Sequence, residues 1–305
     1  CIFLSLVVQS QVQNAVEKCS QHKKTIEFLE NATPKERQRH YTSVQELEQF
    51  TQQYIQSHPE LLQNAAVNRT ISYTIPVVFH VLHEGGPENI SDAQILDALS
   101  ILNRDYQLQN ADANDVVADY QGMPADIEIE FKLAKRDDDG NCTNGITRTQ
   151  SPASSSGDGE TQVSVVQNAQ GDWPGNKYLN IFIVLDAGGA AGYTYNPSWG
   201  VGTGMDNGII ILHNYIGSIG TGNTFRSRAL THEVGHWLNL KHPWGGSNDP
   251  GLPGNCSIDD GVNDTPNTIG WTTCDLTFST FFFYLFIFVF YFFYSYFSFF
   301  FTPFH

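Results

Sequence analysis

Apolar and polar positions split the chain into an unpatterned polar part and a patterned part. From about Gln9 to Asn68 the residues are polar, rich in Gln and Glu, and nearly free of Gly. Within this stretch Thr42 to Ile55 carries apolar residues at helical spacing, and Ser43 with Glu46 fits a capping box. The spacing predicts a helical leader or linker there. Tyr73 to Leu82 is then dense in β-branched and aromatic residues, which predicts a strand, with Pro76 at an edge position or near the strand start. Ser91 to Asn103 predicts an amphipathic helix with Ser91 as its N-cap. Ile127 to Leu133 alternates as a half-buried strand does, and Tyr178–Leu185 and Gly208–Leu212 predict two more strands. Between these two, Ala187 to Tyr195 is Gly-rich with aromatics and suits a bulged edge strand. Arg226 to Leu240 predicts a final helix. This order of elements is an α+β arrangement around a mixed sheet.

Charge narrows the range of partners. The 305 residues include 16 Lys+Arg and 32 Asp+Glu, a net charge of −16. Such a surface repels phosphate backbones and anionic lipid, which argues against nucleic acid and membrane-surface partners. The five cysteines, Cys1, Cys19, Cys142, Cys256 and Cys274, form no C-x2-C pair. Together with sequons at Asn31, Asn68, Asn89, Asn141, Asn255 and Asn263 they favour an exported, disulfide-bearing chain. The apolar run from Cys1 to Val8 fits the end of a signal-peptide core, the alternative being a short buried strand. The expected organisation is a signal remnant (1–10), a pro-segment or linker (11–68), a catalytic domain (69–277) and an aromatic tail (278–305).

Chemistry is concentrated in Thr231-His-Glu-Val-Gly-His-Trp-Leu-Asn-Leu-Lys-His242. On a helix His232 and His236 lie one turn apart on one face and can share a Zn²⁺. Glu233 is placed to reach a water on that metal, whose pKa the ion lowers toward ~7. It can take the water's proton and pass it to a leaving amine. His242 lies six residues beyond His236, too far to join the same ion unless the helix stops and the chain turns. That turn needs positive φ, and Asn239 occupies the turning position as the non-Gly residue most tolerant of it. Three His ligands leave a fourth position open, as a catalytic zinc requires.

These residues, with Ile75–His83, Cys142–Arg148, Tyr178–Val184 and Asp260–Pro266, resemble the pappalysin/cytophagalysin family of metzincin zinc proteases. The resemblance covers roughly Tyr73 to Cys274. It implies a metzincin-type zincin domain, endopeptidase activity on protein or peptide substrates, and an edge strand at Ala191, Gly192 and Tyr193 that pairs with extended substrate. It also makes Asp260, Val262, Asp264 and Thr265 candidate Ca²⁺ ligands, the alternative being a solvated turn, and favours a disulfide between Cys256 and Cys274. Cys19 could close the open zinc position and hold the enzyme latent, although a disulfide or an unused thiol is the more ordinary expectation. His80 and His83 are expected to be strand residues, not ligands. The family's Met-containing turn lies downstream of the third His, whereas Met123 and Met205 are both upstream. In its place stands the Phe/Tyr run from Phe281, so the C-terminal lobe is expected to be incomplete and the run artefactual. The competing readings are a catalytically impaired zincin-fold binding protein and a protease anchored by that aromatic run. A secreted zinc endopeptidase remains the leading reading.

Overall fold

The structure is a computed structural model that describes residues 16, 19–57, 73–116, 120–121, 123–194, 208–261 and 265–270. Two helices come first, α1 (Gln21–Asn31) and α2 (Pro34–Ser57). The expected Ser43–Glu46 box falls inside α2, because a second sequence of the same form lies ten residues earlier. There the Thr33 N–H donates to Glu36 Oε2 at 2.7 Å and the Glu36 N–H to Thr33 Oγ1 at 3.3 Å. Pro34, whose missing N–H is no loss at a helix start, follows directly.

Among the described residues the second part is built on a six-stranded sheet: β1 (Tyr73–His83), β2 (Ile129–Leu133), β3 (Ile146–Gln150), β4 (Leu179–Val184), β5 (Gly192–Thr194) and β6 (Ile209–Leu212). Its order is β2-β1-β4-β6-β5, with β3 also pairing β1. Only β5 runs antiparallel. Pro76 pairs with β2 one residue before β4 joins at Val77, so it sits where β1 still has a single neighbour. The run Leu-Asn-Ile-Phe-Ile-Val of β4 is buried throughout, as expected of a strand covered on both faces.

Alternation along the strands sorts two cores. Val77, Phe79, Ile181, Ile183, Ile209 and Ile211 pack against α3 (Asp92–Tyr106) and α5 (Ala229–Trp237). Leu82, Phe182, Val184 and Ile210 face the other way, against Val163 and Val166 of α4 (Gly159–Gln170). The result is three layers with α5 on one face. Ser91 caps α3, accepting from the Gln94 N–H at 3.2 Å. α4 and β3 were not among the expected elements.

Candidate active site

Helix α5 ends where the third histidine needs it to end. Asn239 has φ +72°. Its N–H donates to His236 O at 2.8 Å, and the Leu240 N–H reaches back to Gly235 O at 3.0 Å. This pair of bonds is a Schellman motif, with Asn in the place usually taken by Gly. The reversed chain presents the Leu240 carbonyl to His236 Nδ1 at 2.7 Å. Two residues on, His242 Nδ1 donates to Ser247 O at 3.0 Å. The same carbonyl accepts from the Trp244 indole at 2.8 Å, and the Trp244 ring stacks on His242 with centroids 4.5 Å apart.

These carbonyls fix the tautomers. A carbonyl can only accept, so Nδ1 of His236 and of His242 carries the proton and Nε2 presents a lone pair. The Nε2 atoms of His232, His236 and His242 lie 3.1, 3.2 and 3.3 Å from one another. The lone pairs of His236 and His242, 3.2 Å apart, repel unless a cation or a donor sits between them. Tetrahedral zinc with bonds of ~2.0–2.1 Å sets nitrogens ~3.3 Å apart, so the donor set fits Zn²⁺. Burial lowers all three imidazole pKa values, that of His236 to about 4, and neighbouring rings lower His232 and His242 further. Each is therefore neutral and ready to ligate at neutral pH.

A fourth donor comes from far away in the chain. Cys19 Sγ lies 3.5 Å from His236 Nε2. The four donor atoms of Cys19, His232, His236 and His242 all fall within 4.8 Å of one another. A zinc–sulfur bond of ~2.3 Å gives nearly the same sulfur–nitrogen distance, ~3.6 Å. Cys19 is buried and carries no disulfide, and the structure places it against the three histidines.

Glu233 is 1% exposed. Burial pushes its carboxyl up to about 8, against hydrogen bonds from Cys19 and Thr194 that hold it down. The Thr194 hydroxyl donates to Glu233 O at 2.8 Å and lies 3.5 Å from Oε2. Thr194 was not expected to belong to the site. A signal existed, since it shares a strand face with Gly192. A Cβ on Gly192 would sit 3.3 Å from Glu233 Cγ and 3.1 Å from Ile210 O, a tight fit that a larger residue could meet only if β5 or α5 gave by a few tenths of an ångström.

The segment expected to pair with substrate forms an edge strand. β5 forms the sheet edge beside α5, and Gly192 O accepts the Ser20 N–H at 3.4 Å. Ala191 O is already bonded to the Leu212 N–H at 2.9 Å. Tyr193 points to the opposite face, where it joins the cluster of Phe182 and Ile210 under Lys24 Nζ, 5.2 Å from its ring. Successive strand residues face opposite ways, so the side chain of Tyr193 lies on the face away from Gly192 and Thr194.

Behind α5, Thr231 Oγ1 donates to buried Asp105 at 2.8 Å and the Tyr106 hydroxyl to Thr231 O at 3.3 Å. Arg228 grips Asp112 through both terminal nitrogens, at 2.5 and 2.6 Å. His80 is no ligand: it is buried on the far face between Thr147 Oγ1 (2.8 Å) and Asn180 Oδ1 (3.1 Å), stacked on Phe182. Cys256 is an exposed free thiol and not half of a bridge, and Cys274 lies outside the described residues. Of the calcium candidates, Val262 and Asp264 also lie outside them. Asp260 and Thr265 are described, and the adjoining Gly261 N–H closes a turn on Asp259 Oδ1 at 2.6 Å. Among the described residues the only metal-ligating cluster is the Cys19–histidine one. No described helix is long and apolar enough to cross a membrane, and residues 278–305 lie outside the description.

Comparison with known proteins agrees with this geometry. Residues 160–292 match the family profile Peptidase_M43, described as Pregnancy-associated plasma protein-A. An extracellular metalloprotease of Colletotrichum graminicola is 27% identical over 229 residues, covering 71% of this chain and 68% of that one. Extracellular metalloprotease 1 of Coccidioides posadasii is 28% identical over 200 residues, and the match spans only 58% of its length. Mature mirolysin of Tannerella forsythia, solved with a cleaved peptide, is 34% identical with a TM-score of 0.57, covering 67% of this chain and 75% of that one. A promirolysin mutant from the same organism gives 30% identity and a TM-score of 0.62, covering 82% and 76%. The chain belongs to the M43 family of metzincin-type metalloproteases.

Proposed function

We propose that this chain is the latent form of a secreted, zinc-dependent endopeptidase. The observation that carries the reading is the convergence of three Nε2 atoms beside a buried glutamate, with Cys19 on the remaining side. His232, His236 and His242 would hold the zinc. Bound there, zinc supplies a Lewis acid and acidifies a water. With zinc bound, Glu233 would accept a proton from the activated water and pass it to the leaving amine; the Thr194 hydroxyl lies 3.5 Å from its Oε2. Gly192 O offers a main-chain acceptor to an extended peptide, the site now used by Ser20. Cys19 fills the fourth position, so residues 19–57 act as a pro-segment and substrate enters only after they leave. Secretion is supported by the names of the fungal relatives, both extracellular metalloproteases.

The test compares cleavage of an unstructured protein by Cys19→Ser and by Cys19→Ser/Glu233→Ala. The single variant is expected to cleave, to stop with a chelator and to recover with zinc. The double variant is expected to keep its zinc and lose cleavage by about 10²-fold or more. Equal cleavage by the two would refute the role of Glu233.

A further inference from the structure

Helix α1 begins at Gln21, two residues after the cysteine that reaches the histidines. The first N–H groups of any helix have no partner within it, and a side chain at the N-cap normally satisfies one of them. Here the N-cap is Ser20, of a residue type suited to that task, yet its hydroxyl makes no cap bond. Ser20 is 2% exposed, and its Oγ is buried without a partner. The donor that Ser20 leaves unmet is satisfied from across the cleft. The His22 N–H donates to Asn248 Oδ1 at 3.0 Å.

Asn248 is held for this. The residue before it, Ser247, gives its carbonyl to both the His242 imidazole and the Trp244 indole. After it, Asp249 O accepts from the buried Asn255 amide at 2.9 Å. Gly246 meets the His22 ring, with a Cβ there falling 3.3 Å from Cε1. The loop that orients the third zinc ligand thus also presents an acceptor to the helix that delivers Cys19. On the other wall, Gly192 O accepts the Ser20 N–H.

We infer that Asn248 is the N-cap of the pro-segment helix, supplied in trans by the catalytic domain, and that this cap determines how tightly Cys19 stays seated. The inference rests on the latent-zymogen reading. The first turn of α1 is then completed only when docked. Losing the dock uncaps the helix, and fraying of that turn withdraws the thiol. Asn248 is a positioning residue acting through α1 on Cys19. Capping side chains replaced by Ala typically weaken a helix enough to shift its folding equilibrium about fivefold. Asp is as good a cap as Asn, and its charge favours a helix N-terminus.

The experiment uses the full zinc-loaded chain carrying Glu233→Gln, which removes the base but keeps an acceptor beside Cys19, so self-cleavage plays no part. Alkylation of Cys19 by iodoacetamide is followed by peptide mass, with exposed Cys142 as an internal reference. Asn248→Ala is expected to speed Cys19 alkylation about fivefold and amide exchange at His22 likewise. Asn248→Asp is expected to stay within about twofold of the parent. Should Asn248→Ala lose its zinc, the question is put from the pro-segment. His22→Pro removes the donor and is expected to expose Cys19, while His22→Ala keeps it and is not. Parental Cys19 rates in both donor- and acceptor-deleted chains would overturn the cap, as would Asn248→Asp leaking like Asn248→Ala. Cys19 reacting as fast as Cys142 in the parent would instead remove the latent state itself.

Discussion

Replacing Asn239 perturbs the turn on which the third ligand depends. At φ +72° the backbone lies in the left-handed region, which costs an ordinary L-residue about 1–2 kcal/mol and costs Asn less. Asn239→Ala keeps both Schellman bonds available, since these use main-chain atoms of residues 235, 236, 239 and 240. Its penalty is therefore conformational. Without metal the helix end can relax out of the strained turn; with metal, His242 must be brought back to within 3.3 Å of its partners. The strain thus falls on zinc binding more than on the fold. Because Asn already bears part of this, the loss is at most ~1–2 kcal/mol, or zinc affinity weaker by up to about 5- to 30-fold. Asn239→Gly, free of the penalty, is expected to bind zinc as tightly as the parent. The assay is competition for zinc against a chelator dye, in a Glu233→Ala background, with unfolding midpoints measured alongside. Parental affinity in Asn239→Ala, or weaker binding in Asn239→Gly than in Asn239→Ala, would refute the reasoning.

Thr194→Val keeps the strand's β-branched shape but deletes the hydroxyl that bonds Glu233 O. It is expected to cost about 1 kcal/mol in denaturant unfolding and to lower kcat in the Cys19→Ser chain without loss of zinc; parental unfolding would argue against that tie. Asp112 is held at about 2 by its hydrogen bonds with Arg228. Its folded pKa is below the unfolded value near ~3.9, so its contribution is present above about pH 4 and lost as pH falls toward 2. Its side chain is 47% exposed, so solvent screening limits the contribution to about 1 kcal/mol or less. Asp112→Asn should lower the unfolding midpoint at neutral pH and bring it toward the parent's near pH 2. A constant deficit across that range would show that the pair is not the cause.

What the sequence made legible, and what it hid, follows from how far apart the interacting residues lie. The turn at Asn239 was readable because its constraint is local: six residues between two ligands, with one position that must turn. Strands β1, β4 and β6 were readable because strands covered on both faces are dense in β-branched and aromatic residues, with few polar interruptions such as His80 and Asn180. Helix α4 was not, since it buries only Val163 and Val166 among its large apolar side chains and relies on buried Gln162, bonded to Ser154 O and Asp186 O. The polar strand Ile-Thr-Arg-Thr-Gln of β3 has no alternation to find. The start of α2 was misplaced because Thr33–Glu36 and Ser43–Glu46 are equally good boxes by spacing, and Pro34 decided between them. Which side chains of β5 share a face was invisible until its register was known. Cys19 lies 217 residues from His236, a contact no local pattern encodes.

Zinc-edge X-ray absorption on the full chain, compared with its Cys19→Ser variant, tests the centre directly. The geometry predicts three nitrogens at ~2.0–2.1 Å and one sulfur at ~2.3 Å around a single zinc, the sulfur vanishing in Cys19→Ser while the nitrogens stay. A parental shell without sulfur would contradict the latent arrangement. A shell with fewer than three imidazole nitrogens would contradict the zinc site itself.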